Sequence, residues 1–232
     1  MAPSIAQPHL YPVGPFSGGP FHQACLEHDP RSWIDLPGAD RLPVRLQSAH
    51  PARKRDFIAG RLCARRALMN LGRETREPLP MREDGLPRWP AGTLGSLTHT
   101  RGFASALVAP AGTVRCLGLD SENWIPQKRI SRIAPWVITD NERNNARRYS
   151  DKWFPRMFTV MYSAKESVIK CMYPLDGIRS GLLDWEIGLE DFGSGRFTFK
   201  STRNSNSEIH PATEGWGGFV IDDQRVMTFV HV

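Results

Sequence analysis

An α+β fold is predicted by an order of patterns that occurs twice along the 232 residues: one long helical stretch, then a run of strands. Helix-period apolar spacing marks 51–71 and about 151–173, and each stretch is followed by apolar or alternating segments of strand length. Proline and glycine punctuate what lies between. No convincing sequence repeat accompanies the repeated order.

The elements follow in chain order. Residues 1–20 are rich in proline and glycine and poor in charge, which predicts a flexible N-terminal arm ahead of an N-terminal subdomain at 21–112. Pro51 suits the first turn of a helix, Phe57, Ile58, Leu62, Leu68 and Met69 recur at helical spacing, and Gly72 ends it. Loops and short strands are expected over 78–95. Two strands, 103–109 and 113–119, are expected to be joined hairpin-fashion by Pro110-Ala111-Gly112, with a C-terminal subdomain running over 113–232. Thr139 with Glu142 three residues on reads as a capping box opening a helix to Tyr149. The next helix buries Phe154, Phe158, Met161, Val168 and Met172 and is closed by Pro174. Strands are expected at 183–189, 195–200, 217–221 and 225–232, the last two linked by Asp222-Asp223.

Composition narrows the function classes. The chain is long enough to bury a sizeable core. No window approaches 18 uninterrupted apolar residues, so no transmembrane helix is predicted. Residues Met1 to His9 lack a basic start and an apolar run, which argues against a signal peptide and for a cytoplasmic protein. Cys25, Cys63, Cys116 and Cys171 are scattered without a CxxC pair, and no histidine pair has ligand spacing, so neither a disulfide frame nor a zinc site is expected. A net charge of +6 favours an anionic partner, whether nucleic acid, acidic membrane, acidic protein or a phosphorylated small molecule.

The chemistry concentrates in two places. Asp120 and Glu122 stand at i, i+2 after the apolar Leu117 and Leu119, so on a strand both point to one face, at its C-terminal end. Glu166 and Lys170 stand at i, i+4 and share one face of a helix, with Lys165 beside them. Three carboxylates from a strand and a helix, with lysines alongside, form a site for a hard cation facing an anionic ligand. Mg²⁺ suits it, completing its octahedron with water and phosphate oxygens, and Mn²⁺ is an expected substitute. Each half has an ordinary reading too: acids at a solvated strand end, and a surface ion pair.

In order, Gly118-x-Asp120-x-Glu122 and Ser163-x-Lys165-Glu166-Ser167-x-x-Lys170 resemble the paired signature of the 4′-phosphopantetheinyl transferases. The likeness is to the larger, monomeric, siderophore-synthetase-activating kind (enterobactin synthase component D type), over roughly residues 45–232. The resemblance implies two similar α/β subdomains about a pseudo-twofold, with coenzyme A in the cleft between them. It implies Asp120, Glu122 and Glu166 as metal ligands, Glu166 or Glu122 as the base, Lys170 on the phosphates and Lys165 as a helper. Tyr162 stands where relatives carry tryptophan or phenylalanine.

By the same resemblance, Thr98 and His99 bind coenzyme A phosphates through hydroxyl and imidazole. The helix at 52–66 carries six basic residues against the single acid Asp56; of these Arg61, Arg55 and Lys54 are implied to reach the 3′-phosphate, arginine doing so as a bidentate fork. Gly85-Leu86-Pro87 matches a loop lining the adenine pocket, making Arg82 and Gly85 nucleotide contacts. The expected partners are acidic apo carrier proteins; Ile130, Ile133, Trp136 and Val137 read either as a surface that docks them or as core. The enzyme is expected to be a monomer without a nucleic-acid partner. Two rival readings remain open on residues alone: another Mg²⁺-dependent phosphoryl-transfer or nucleotide-hydrolysing enzyme, and a nucleic-acid-binding module driven by charge.

Overall fold

Residues 9–11, 13–29, 42–73, 79–146, 153–189, 192–203 and 214–232 are described by a computed structural model of the chain. They fall into two units, Met1–Thr113 and Val114–Val232. Each unit is an antiparallel sheet with one long helix packed on it, an α+β architecture.

In the first unit the elements are β1 (His9–Tyr11), β2 (His22–Glu27), α1 (Val44–Gln47), α2 (Pro51–Asn70), β3 (Thr93–Thr100) and β4 (Phe103–Pro110). The sheet runs β1-β2-β4-β3. The stretch expected to be a flexible arm therefore contains a strand, with Leu10 registered on Leu26; residues 1–8 and 12 lie outside the described residues. Pro51 opens α2, and the His50 Nδ1 caps it by accepting from the Ala52 amide at 3.2 Å. Gly72, at φ +75°, takes the left-handed conformation that ends the helix.

The buried face of α2 is Ile58, Ala59, Cys63, Ala64, Ala67 and Leu68, set on Ala24, Leu26, Ala104, Ala106 and Val108 of the sheet. Small side chains on both sides let helix and sheet approach closely. That is why Met69, expected in the stripe, is exposed: the buried face follows the alanines, whose spacing carries little hydrophobic signal.

The second unit contains β5 (Leu117–Asn123), α3 (Gln127–Val137), α4 (Asp140–Ala146), α5 (Phe154–Asp176), β6 (Trp185–Gly188), β7 (Arg196–Ser201), β8 (Glu214–Ile221) and β9 (Arg225–His231). Its sheet runs β5-β9-β8-β7-β6. The expected 103–119 hairpin is corrected here. β4 pairs with β2 and β3, whereas β5 starts at Leu117 and pairs with β9 in the other sheet. Pro110-Ala111-Gly112 is thus a boundary between units, not a hairpin turn. The expected capping box is present, Thr139 Oγ1 accepting from the Glu142 amide and Glu142 Oε2 from the Thr139 amide; residues 147–152 lie outside the described residues.

The stripe of α5 buries Phe158, Met161, Val168 and Met172, with Phe154 partly covered. Pro174 does not close α5; it sits in the last turn, and Gly177 at φ +73° terminates it. On β8, Gly215 and Gly217 leave room for the Phe199 and Phe197 rings, which a Cβ at either position would strike. The β8–β9 turn is held by Asp222, whose Oδ1 accepts from the Gln224 and Arg225 amides at 2.7 and 2.8 Å.

Candidate functional site

In the second unit, α5 lies against β5 and β9 because Gly118 allows it. A Cβ there would overlap the Ser167 carbonyl oxygen and come within 2.8 Å of the Cys171 amide nitrogen. Strand alternation then puts Asp120 and Glu122 on the face of Gly118, toward the helix. Ser163 Oγ donates to Asp120 Oδ2 at 2.8 Å. Lys170 Nζ donates to Asp120 Oδ1 at 2.6 Å and to the Leu119 carbonyl at 3.3 Å. Thr228, registered opposite Asp120 on β9, bonds the Ser163 carbonyl at 2.9 Å and the Ser167 hydroxyl. Asp120 is therefore buried with a partner on each oxygen.

The other two acids feel this crowding. Burial pushes the Glu122 carboxyl up to about 7, Asp120 and Glu166 adding to the shift while Arg129 and Lys170 oppose it. Burial and the Asp120 charge raise Glu166 as well, with Lys170 opposing. Tyr162 is pushed up to about 12, first by burial and then by Glu166, Glu122 and Asp120. Asp120, Glu122, Glu166 and Lys170 thus form one electrostatic cluster drawn from a strand and a helix. Arg129, exposed on α3, belongs to its field; nothing in its local sequence context singled it out.

Among the described residues, no three histidine, cysteine, aspartate or glutamate side chains already stand as a coordination cage. The donor chemistry nonetheless fits a hard divalent cation. Two carboxylates held above their ordinary range by burial and by neighbouring negative charge are short of positive charge. Oxygen donors of this kind are those Mg²⁺ and Mn²⁺ prefer.

Lys165 bonds away from the three acids. Its Nζ donates to Glu142 Oε2 at 2.6 Å and to the Val137 carbonyl at 2.7 Å, with both side chains of the ion pair buried. Adjacent residues on a helix point about 100° apart, so Lys165 faces α3 and α4 while Glu166 faces the carboxylates. Of the four apolar residues read either as docking surface or as core, Ile130 and Val137 are core, and Trp136 is the exposed one, at 73 %.

The basic cluster lies in the first unit. Arg53 Nη1 donates to His99 Nε2 at 2.9 Å, and His99 Nδ1 lies 3.7 Å from Asp56 Oδ2. An Nε2 that accepts carries no proton, so Nδ1–H faces the carboxylate. Arg53 and Asp56 were not among the expected site residues; their i, i+3 spacing on the basic helix was the available signal. Lys54 and Arg55, between them in sequence, are half-buried.

Arg61 is buried, its Nε donating to the Leu79 carbonyl at 2.7 Å and its guanidinium 4.4 Å from the Phe57 ring centre. Burial, then the charges of Arg53 and Arg45, hold it down to about 10. Thr98 and His99 do not lie side by side. Both lie in β3 rather than in a turn, so they point to opposite faces, and Thr98 is buried across from Ser105. In the 81–87 loop, Gly85 is left-handed at φ +93° and Arg82 pairs with Asp84 at 2.9 Å. Arg45 of α1 ties the loop down through the Glu83 and Arg82 carbonyls at 3.2 and 3.3 Å.

Comparisons with known proteins agree over both units. Residues 42–109 match the 4′-phosphopantetheinyl transferase N-terminal domain, and residues 116–229 match the 4′-phosphopantetheinyl transferase superfamily. The chain is 38 % identical to 4′-phosphopantetheinyl transferase Svp of Streptomyces mobaraensis, over 65 % of this chain and 60 % of that protein. It is 32 % identical to 4′-phosphopantetheinyl transferase Npt of Nocardia iowensis, over 64 % of this chain and 72 % of the relative. Enterobactin synthase component D of Salmonella typhi is 33 % identical, over 70 % of this chain and 62 % of its own length. The chain thus spans less than two thirds of the first and third of these relatives.

Proposed function

This chain belongs to the 4′-phosphopantetheinyl transferase superfamily, and from that premise we propose that it transfers the 4′-phosphopantetheine arm of coenzyme A to a serine of an apo carrier protein. The observation that carries the reading is the meeting of Asp120 and Glu122 on β5 with Glu166 and Lys170 on α5, where Lys170 bonds the buried Asp120 and the Asp120 charge helps raise Glu122 and Glu166.

Asp120, Glu122 and Glu166 would hold Mg²⁺ or Mn²⁺. Bound there, the ion would neutralise pyrophosphate oxygens and polarise the phosphorus toward attack. The remaining work belongs to the chain. Lys170, already on Asp120, would stabilise the leaving phosphate oxygen. Glu166 or Glu122 would take the serine proton as the serine oxygen bonds to the β-phosphorus. The bond from that phosphorus to the bridging oxygen breaks, releasing adenosine 3′,5′-bisphosphate. Lys54, Arg55 and Arg61 would meet the 3′-phosphate, with Arg53 as a further donor, His99 would meet the pyrophosphate, and the loop of Arg82 and Gly85 would meet the nucleotide. Thr98 would serve through the strand that carries His99.

The carriers are acidic peptidyl or acyl carrier domains of siderophore, peptide, polyketide or fatty-acid synthases, drawn by a chain of net charge +6. The enzyme acts as a cytoplasmic monomer. Its four cysteines are buried. Among the described residues no helix is long and apolar enough to cross a membrane. The deciding experiment incubates purified apo-carrier with coenzyme A, Mg²⁺ and this protein, followed by mass spectrometry. A gain of one phosphopantetheine arm, abolished in Asp120→Ala, is expected. Coenzyme A cleaved without any gain on the carrier would instead indicate a nucleotide hydrolase.

A further inference from the structure

We propose that Lys165 and Glu142 are a positioning pair that sets the rotation of α5 and so holds Glu166 in its place among the carboxylates. The inference rests on the metal-binding role given to those carboxylates above. Lys165 Nζ reaches Glu142 Oε2 at 2.6 Å and the Val137 carbonyl at 2.7 Å, the ion-paired side chains being 0 % and 1 % exposed. Glu142 Oε2 also accepts from the Thr139 amide, and Oε1 from the Ile187 amide, each at 2.7 Å. Two side chains thus join the end of α3, the start of α4, the middle of α5 and strand β6.

A second grip holds the opposite side of α5. Gly118 lets the Ser167 carbonyl rest on β5, Thr228 bonds the Ser163 carbonyl, and Lys170 bonds Asp120. Glu166 projects between the two grips, one residue from Lys165. Clamped at 165 on one side and at 163, 167 and 170 on the other, the helix cannot turn about its axis. Neither member of the pair acts on the reacting groups directly: the charges that shift Glu122 are Asp120, Arg129, Lys170 and Glu166. Apolar side chains would fill the same volume without desolvating two charges. What the ionic pair adds is direction, since both Glu142 oxygens and two of the three ammonium protons are aimed at a backbone group or at the partner.

The test is the double substitution Glu142→Gln with Lys165→Met. It keeps volume and an amide oxygen for a backbone N–H while removing both charges. Thermal unfolding, Mn²⁺ affinity by electron paramagnetic resonance, and kcat and KM for coenzyme A are measured together. Misplacing a ligand through its support predicts Mn²⁺ binding and kcat each weakened about tenfold or more in the folded variant. KM for coenzyme A should stay within about twofold, since the basic cluster is untouched. Glu142→Asp, which keeps both charges but shortens the reach by one methylene, should weaken Mn²⁺ binding by about threefold, and it decides the matter if the double variant does not fold.

Lowered thermal stability with parental Mn²⁺ affinity and kcat in the folded protein would overturn the proposal, leaving the pair a stabilising contact only. If the parent binds Mn²⁺ but modifies no carrier, the proposed function fails while the Mn²⁺ comparison still decides on positioning. A parent that binds no Mn²⁺ overturns both.

Discussion

Gly118 owes its identity to the helix above it, not to a turn. The Ser167 carbonyl and the Cys171 amide occupy the space a Cβ would take, so the strand bearing the acids and the helix bearing Glu166 touch backbone to backbone. Substituting Gly118→Ala forces overpacking that no side-chain rotamer relieves, because the obstructing atoms are main chain. The expected cost is about 2 kcal/mol or more, read as a lowered urea midpoint with an unchanged slope. Arg61 shows a different economy at the same scale. With its Nε on the Leu79 carbonyl and its guanidinium carbon over the Phe57 ring, this arginine is held in one orientation by the fold itself.

The pleat of β3 separates two neighbours whose chemistry reads alike in the sequence. His99 joins Arg53 and Asp56 of α2, while Thr98 is buried on the other face of the sheet. His99→Ala is therefore expected to raise KM for coenzyme A about tenfold with little change in thermal midpoint. Thr98→Val should do the reverse, lowering the midpoint and leaving KM within about twofold, as steady-state kinetics and calorimetry would report. Much of this level was legible beforehand. The capping box of Thr139 and Glu142, the stripe of α5 and the Asp222-Asp223 turn depend on local spacing, which periodicity exposes. Strand pairing was not legible in the same way. Asp120 registers on Thr228, far along the chain, and an apolar run beside a proline–glycine turn does not tell which sheet it will join. β2 was missed because its apolar centre, Ala24 to Leu26, is brief and flanked by polar residues. The motif brought Asp120, Glu166 and Lys170 to one place but did not foretell that Lys165 turns toward Glu142, since a motif fixes residue types but not which way each helical position faces.

Across the whole molecule, a charge of +6 predicts how the protein would meet the acidic carrier proposed for it. Raising ionic strength from about 0.05 to 0.5 M should lower kcat/KM for the carrier several-fold while kcat at saturating carrier changes little, because screening weakens encounter more than the bound complex. Stopped-flow or gel-shift assays across a salt series check it, and a flat response would mean that apolar residues such as the exposed Trp136 dominate docking. The Glu142 carboxylate bears on a further property. By taking the Ile187 amide it closes part of the outer edge of β6, the last strand of its sheet. An open edge of that kind is a template on which a second chain can lay down a strand and begin to aggregate, so the residue that steadies the helix also guards the protein against self-assembly into insoluble material.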